Sequence, residues 1–331
     1  MDNRFLRLVR ASAAPIPLPL GTYPGLPLTG ARVVDVLSDA RAQVETQLAL
    51  HRRFHAPALL SPMDLGAEAE AFGSELRFAD DDVPCVVKPL VESVEDVRRL
   101  AVPAPGAGRT AVHLAAVRMM RQAAPDAAII GGIIGPFSLA GQLLGVTQLM
   151  MLSLTGAALV ESLLEKTTAF LGEYARAFAD AGADAVLMAE PMAGLVSPAC
   201  LGRFSSARVA EIRRTAEAGA FRVFLHNCSA RAVHLPQVFA AGASLYHFGS
   251  PMDLGAALKA APPGVVLAGN LDPATVFCHG SPDQVAAQAR TLLATAAGHP
   301  CFVPSSGCDL PPGTPLVNLE AFYETVRAGI R

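Results

Sequence analysis

His226, Asn227 and Cys228 are followed eighty positions later by Cys308, within Ser306-Gly307-Cys308-Asp309. Imidazole nitrogen and thiolate sulfur are the ligands that a borderline-soft cation such as zinc selects. A structural zinc site normally closes with four protein ligands, and the residues around these three offer no convincing fourth. Two cysteines and one histidine leave a position open for water or substrate, as in a catalytic zinc site. The competing reading is a histidine at a strand end beside two buried, inert thiols, since unpaired cysteine is often buried. Spacing alone does not separate the two. The elements that position the residues do more.

Short apolar runs alternate with longer helical patterns. Strands are expected at 16–20, 58–63, 128–134, 185–189, 222–225, 244–248, 265–268 and 301–304. Helices are expected at 32–54, 109–122, 139–181, 198–218, 230–240, 254–259, 282–296 and 316–328. Strand–helix alternation implies parallel pairing, and eight units imply a closed (β/α)₈ TIM barrel of the α/β class. Its 331 residues fit one such barrel. The chain therefore reads as a single barrel domain over 1–331, with 1–20 as an N-terminal extension and first strand. Pro15, Pro17 and Pro19 remove ladder donors from that first strand.

A barrel of this kind carries its active site at the C-terminal ends of the strands. Asp64, Glu190, His226, Cys228, Asn270, Asp272 and Cys308 all fall at or just after a predicted strand end. Residues far apart in the chain then converge on one mouth.

Composition narrows the class of function. Hydrophobic residues at 52% permit a large core, and a net charge of −3 without a Lys/Arg run argues against nucleic acid. Six scattered cysteines without framework spacing suggest a reducing, cytoplasmic setting, where cysteine serves metal binding or catalysis. Arg4, Arg7 and Arg10 before an apolar stretch loosely resemble a signal peptide, but the prolines interrupt it and no small-residue cleavage site follows. The uncharged stretch 127–160 has the hydropathy of a membrane span. Its glycines and recurring Gln, Thr and Ser make it a buried strand, a turn and a core helix instead, so no membrane partner is expected.

Four segments carry a resemblance. Gly131-Gly132-Ile133-Ile134-Gly135-Pro136-Phe137-Ser138 resembles the glycine-rich segment of the uroporphyrinogen decarboxylase superfamily. Ala181-Gly182-Ala183-Asp184 leading to Ala189-Glu190-Pro191 resembles its middle strand. Leu267-Ala268-Gly269-Asn270-Leu271-Asp272-Pro273 resembles its G-N-x-D-P segment. Gly307-Cys308-Asp309-Leu310-Pro311-Pro312-Gly313, then Asn318-Leu319-Glu320-Ala321, resembles its C-terminal signature. The H-x-C and G-C elements point within that superfamily to the zinc-dependent methylcobamide:coenzyme M methyltransferase-like branch.

The resemblance implies zinc at His226, Cys228 and Cys308. It also implies a thiol acceptor activated at that zinc, and a methylcobamide carried by a small corrinoid protein. Glu190 is then a fourth ligand or a general base, the alternative being a capping or buried ion-pair role. Asp64 takes the place of the decarboxylases' strand-end catalytic aspartate, or caps the helix that follows. Asn270 and Asp272 orient substrate or a ligand histidine, or simply build a turn. His247 reads as a satisfied core histidine. The arginine-rich N-terminal motif of the decarboxylases is not reproduced. The expectation is a corrinoid-dependent methyltransferase; the alternatives are a metal-free decarboxylase-like lyase and a non-catalytic corrinoid-binding barrel.

Overall fold

Seven parallel strands form one curled sheet in the computed structural model, which describes residues 3–79 and 82–329. They are β1 (Ala58–Leu60), β4 (Ala128–Ile134), β5 (Ala185–Ala189), β6 (Arg222–Asn227), β7 (Leu245–Phe248), β8 (Val266–Leu271) and β9 (Phe302–Ser306), paired in that order. A short antiparallel hairpin, β2 (Leu76–Arg77) with β3 (Cys85–Val86), stands apart after β1. The (β/α)₈ barrel architecture is as expected.

The strand apolar runs are nearly continuous because both faces are covered. Alternate residues divide between two cores. Leu60, Ile130, Leu187, Phe224, Leu245, Ala268 and Val303 fill the interior, whereas Leu59, Ile129, Val186, Val223, Tyr246 and Leu267 pack against the helices.

The eighth strand expected at 16–20 is not formed. The segment is extended and runs beside β9, but Pro17 and Pro19 have no N–H to donate. Leu18 between them donates to Pro304 O at 2.9 Å, and Leu20 donates to Ser306 Oγ at 2.9 Å. Gln47 bridges the other edge: its Nε2 donates to Gly21 O at 2.9 Å and its Oε1 accepts from Leu60 N at 3.0 Å. Side chains thus complete the closure that a ladder would otherwise make.

A helix not foreseen from the sequence, α1 (Arg4–Ala11), plugs the N-terminal end of the barrel. Phe5, Leu6 and Val9 enter the interior core, and Phe5 meets Phe224 with ring centroids 6.3 Å apart. Asn3 Nδ2 donates to Asp184 O at 2.7 Å and Ala220 O at 3.0 Å, tying the helix to two loops that precede strands. The helical stretch at 139–181, expected as two helices, is three, Pro136–Leu144, Val146–Thr155 and Ala157–Asp180. Glycine separates them at 145 and 156, and Gly145 takes a positive φ of 89° that favours glycine. No single helix among the described residues is long and apolar enough to cross a membrane.

The bridging role of Gln47 predicts the effect of removing it. Gln47→Leu keeps the volume but strands two buried backbone groups, at a cost of about 1–3 kcal/mol for each. Urea unfolding should give a lower midpoint at unchanged slope. An unchanged midpoint would mean that the closure does not depend on this side chain.

Candidate metal centre and adjoining cavity

His226 follows Phe224 by two residues on β6, so its side chain falls on the same inward face, one layer nearer the C-terminal mouth. Cys228 comes two residues later again. Cys308 lies just past the end of β9, after Gly307. The ligand atoms of His226, Cys228 and Cys308 all lie within 4.8 Å of one another. Two glycines permit this crowding. A Cβ on Gly249 would stand 2.1 Å from Cys228 O, and one on Gly307 would stand 2.7 Å from Ser250 N.

A chain of hydrogen bonds runs into His226 from behind. Ser305 Oγ donates to Leu18 O at 2.5 Å, and His247 Nε2 contacts Ser305 Oγ at 2.9 Å. His247 Nδ1 meets His226 Nδ1 at 2.8 Å. The serine proton is committed to Leu18, so the His247 Nε2 contact needs a proton on the ring. Burial and the neighbouring His226 hold His247 well below the usual histidine range, so it is neutral. Its Nδ1 then accepts, and His226 Nδ1–H donates. The remaining nitrogen of His226, Nε2, is buried and has no hydrogen-bond partner. A bare, buried imidazole lone pair beside two sulfurs suits a thiophilic cation.

The two thiols are coupled. A hydrogen bond from Cys308 pulls Cys228 below the ordinary thiol value, and the same contact together with burial pushes Cys308 up.

The cluster opens into a cavity of about 320 Å³ whose walls include Tyr23, Met63, Asp82, Pro191, Asp309 and Leu310. A cleft of about 480 Å³ at the opposite end, between α1 and the helix Pro282–Thr295, lies away from the cluster.

The other residues singled out from the sequence sit near this mouth, yet their side chains are engaged elsewhere. Glu190 is fully buried and does not line the cavity. Its oxygens accept from Phe137 N at 2.9 Å, Ser138 N at 3.0 Å and Ser138 Oγ at 2.7 Å, at the N-terminus of the helix Pro136–Leu144. That is the place where a helix favours an acceptor carboxylate. Asp64 pairs with Arg109 and accepts from Gly66 N at 3.1 Å, just before the helix Ala67–Ala71. Arg109 Nε also donates to Glu70 at 2.5 Å. Asn270 Nδ2 donates to Gly249 O at 3.1 Å and Met252 O at 2.8 Å. Asp272 accepts from Ala274 N at 3.0 Å and Thr275 N at 2.7 Å, and from Ser250 Oγ at 3.1 Å. Both residues build the turn that their types suggested. His247, Tyr23 and Asp309 are the residues that sequence reasoning passed over. His247 reads in sequence as a satisfied core histidine; its contact with His226 follows from the register that sets the two residues side by side across the strand pair.

Comparison with known proteins agrees with this architecture. The model of the uroporphyrinogen decarboxylase (URO-D) family matches residues 26–329. A methylcobamide:CoM methyltransferase, MtbA, from Methanosarcina acetivorans is 27% identical over 309 residues, covering 90% of this chain and 88% of that protein. A uroporphyrinogen decarboxylase from an Azoarcus species is 26% identical over 286 residues, covering 83% and 78%. A solved methyltransferase from Methanosarcina mazei superposes with a TM-score of 0.88 at 24% identity, covering 98% and 97%, and shares the fold.

Glu190 gives this region a pH dependence. Burial raises its carboxyl from an ordinary 4.5 to about 7. Between those values the folded chain holds a proton that the unfolded chain has lost, so stability falls as pH rises through the window. Glu190→Gln should flatten the decline, leaving the parts due to Glu68, which burial raises to about 7, to Asp309, which burial raises to about 6, and to Glu70, which burial also raises. Unfolding midpoints below and above the window measure it, and an unchanged slope in the variant would refute the assignment.

Proposed function

The chain belongs to the uroporphyrinogen decarboxylase family, and from that premise we propose that it is a zinc-dependent methyltransferase. It moves a methyl group between a methyl-corrinoid, carried by a small partner protein, and a thiol acceptor. The observation that carries this reading is the bare Nε2 of His226 beside two cysteine sulfurs at the cavity floor. The methylcobamide:CoM methyltransferase named among the relatives supports the donor side.

In this reading His226, Cys228 and Cys308 hold the metal. Zinc bound there supplies the charge that deprotonates an incoming thiol without offering redox chemistry of its own. The chain's residues do the rest. Cys228 and Cys308, as thiolates, offset the dication's charge, so an acceptor sulfur remains electron-rich and nucleophilic. His247 fixes the ring orientation and tautomer of His226, as outer-sphere partners do at metal sites. Met63, Pro191 and Leu310 give the cavity apolar wall beside the cluster. The acceptor's sulfur pair forms the S–C bond. The Co–C pair stays on cobalt, which goes from Co(III) to Co(I), and the thiol proton leaves to solvent.

Exposed Leu195 and Val233, which follow β5 and β6, and exposed Val83 of the β2–β3 hairpin, which lines the cavity, give a corrinoid protein an apolar rim to meet. Asp64 and Glu190 enter as supports of this mouth, and the lyase alternative loses its aspartate to the Arg109 pair.

Purified protein should carry about one zinc per chain, and Cys228→Ala/Cys308→Ala should carry none. His247→Ala should bind zinc about 10–100-fold more weakly with an unchanged helical circular dichroism spectrum. Metal analysis and competition with a chelator dye measure both; full zinc retention in the double variant rules out the site.

Zinc-edge X-ray absorption tests the chemistry. Adding an acceptor thiol should introduce one further sulfur near ~2.3 Å and release a proton. Methyl transfer from methylcobalamin to an acceptor that leaves the shell unaltered would contradict the thiol step.

A further inference from the structure

The cavity wall says something about the far end of the acceptor. His226 is its single basic side chain among the described residues, and that ring belongs to the cluster. Asp82 and Asp309 line the same wall. Arg109 does not line it; its Nη1 and Nε pair with Asp64 and Glu70, and its Nη2 is buried without a partner.

Two polar atoms of the wall lack partners. The Tyr23 hydroxyl makes no hydrogen bond although the residue is only 3% exposed. Asp309 uses Oδ1 to accept from Thr22 N at 3.0 Å, while its buried Oδ2 accepts nothing. Such groups are costly to leave unpaired. Asp309 directly follows Cys308, so a short molecule reaches both the sulfurs and the carboxylate.

We propose that the acceptor is a short aminothiol: its sulfur enters the His226–Cys228–Cys308 cluster, and its ammonium or amino group donates to Asp309 Oδ2 and Tyr23 Oη. This rests on the methyltransferase reading and sharpens it. An anionic tail such as the sulfonate of coenzyme M, the acceptor in the relative's name, would face two carboxylates on a wall that carries no lysine or arginine among the described residues. Like-charge juxtaposition of this kind rejects a ligand.

Three thiols with the same two-carbon spacer isolate the tail: 2-aminoethanethiol, 2-mercaptoethanol and 2-mercaptoethanesulfonate. Each is titrated into the zinc-loaded full chain by calorimetry and then offered as acceptor with methylcobalamin. The ammonium thiol should bind on the order of tenfold more tightly than the sulfonate thiol, with the hydroxyl thiol between them. The same order should hold in kcat/KM. Asp309→Asn should shrink the gap between ammonium and sulfonate. Tyr23→Phe, which keeps the ring in its core, should weaken the ammonium and hydroxyl thiols but not the sulfonate; this second variant and the wild-type ranking decide the matter if Asp309→Asn fails to fold. If the sulfonate thiol binds as well as the ammonium thiol or better and is methylated, the aminothiol inference is wrong while the methyltransferase reading stands. If no thiol binds or is methylated, both fall.

Discussion

Barrel closure depends on Leu18, and the candidate metal centre inherits its geometry from that closure. Unpaired strand edges have to be satisfied or covered. Here the extended segment between Pro17 and Pro19 offers β9 one backbone donor, Leu18 N to Pro304 O. Its carbonyl takes the proton of Ser305 Oγ in return. Because that proton is committed, the serine oxygen is left to accept from His247, and each later proton along the relay has its place fixed. A segment that fails to be a strand therefore sets which nitrogen of His226 stays bare.

The sequence was most legible where one period dominated. The strands from β4 to β9 read as apolar runs because each is covered on both faces, and alternation between the two cores is hidden by that double burial. The first strand was less legible. Three prolines argued against a ladder, and the segment's role became visible only with partners, Gln47 and Ser306, that lie far away in sequence. Helix α1 was obscured by composition: arginines followed by an apolar, proline-containing stretch resemble a leader. Its pattern nonetheless places Phe5, Leu6 and Val9 on the buried side, which is helical spacing. In 139–181 the apolar pattern allowed one break where Gly145 and Gly156 make two, although glycine is a frequent helix terminator.

The candidate site was legible by residue type and illegible by direction. Histidine and cysteine are few in this chain, so three of them at strand ends stand out. Strand-end position says which mouth a residue belongs to; it does not say where its hydrogen bonds go. Glu190, Asp64, Asn270 and Asp272 all reach the C-terminal face, and all four are bound to backbone or to an arginine there. Carboxylates and amides at such positions face exposed helix N-termini and tight turns, whose unpaired N–H and C=O groups compete for them. His247 shows the converse. Its type suggested a core residue, and its contact with His226 depends on cross-strand register, which a single strand's pattern cannot reveal.

The reading of His226, Cys228 and Cys308 as inert core groups can be weighed on physical grounds. Buried His234 satisfies both ring nitrogens, accepting from Arg231 N and contacting Val196 O, whereas His113 leaves its Nε2 unpartnered but has no sulfur pair beside it. His226 instead uses one nitrogen on another histidine and leaves the other buried without a partner. An unmet polar atom of this kind costs about 1–3 kcal/mol. Two cysteine sulfurs 4.8 Å or less from that nitrogen complete a donor set whose most favourable occupant is a thiophilic cation. Gly249 and Gly307 admit the backbone crowding that brings the sulfurs there. Packing explains none of these three features, whereas a single ion bound by nitrogen and two sulfurs would satisfy the lone pair and both sulfurs at once.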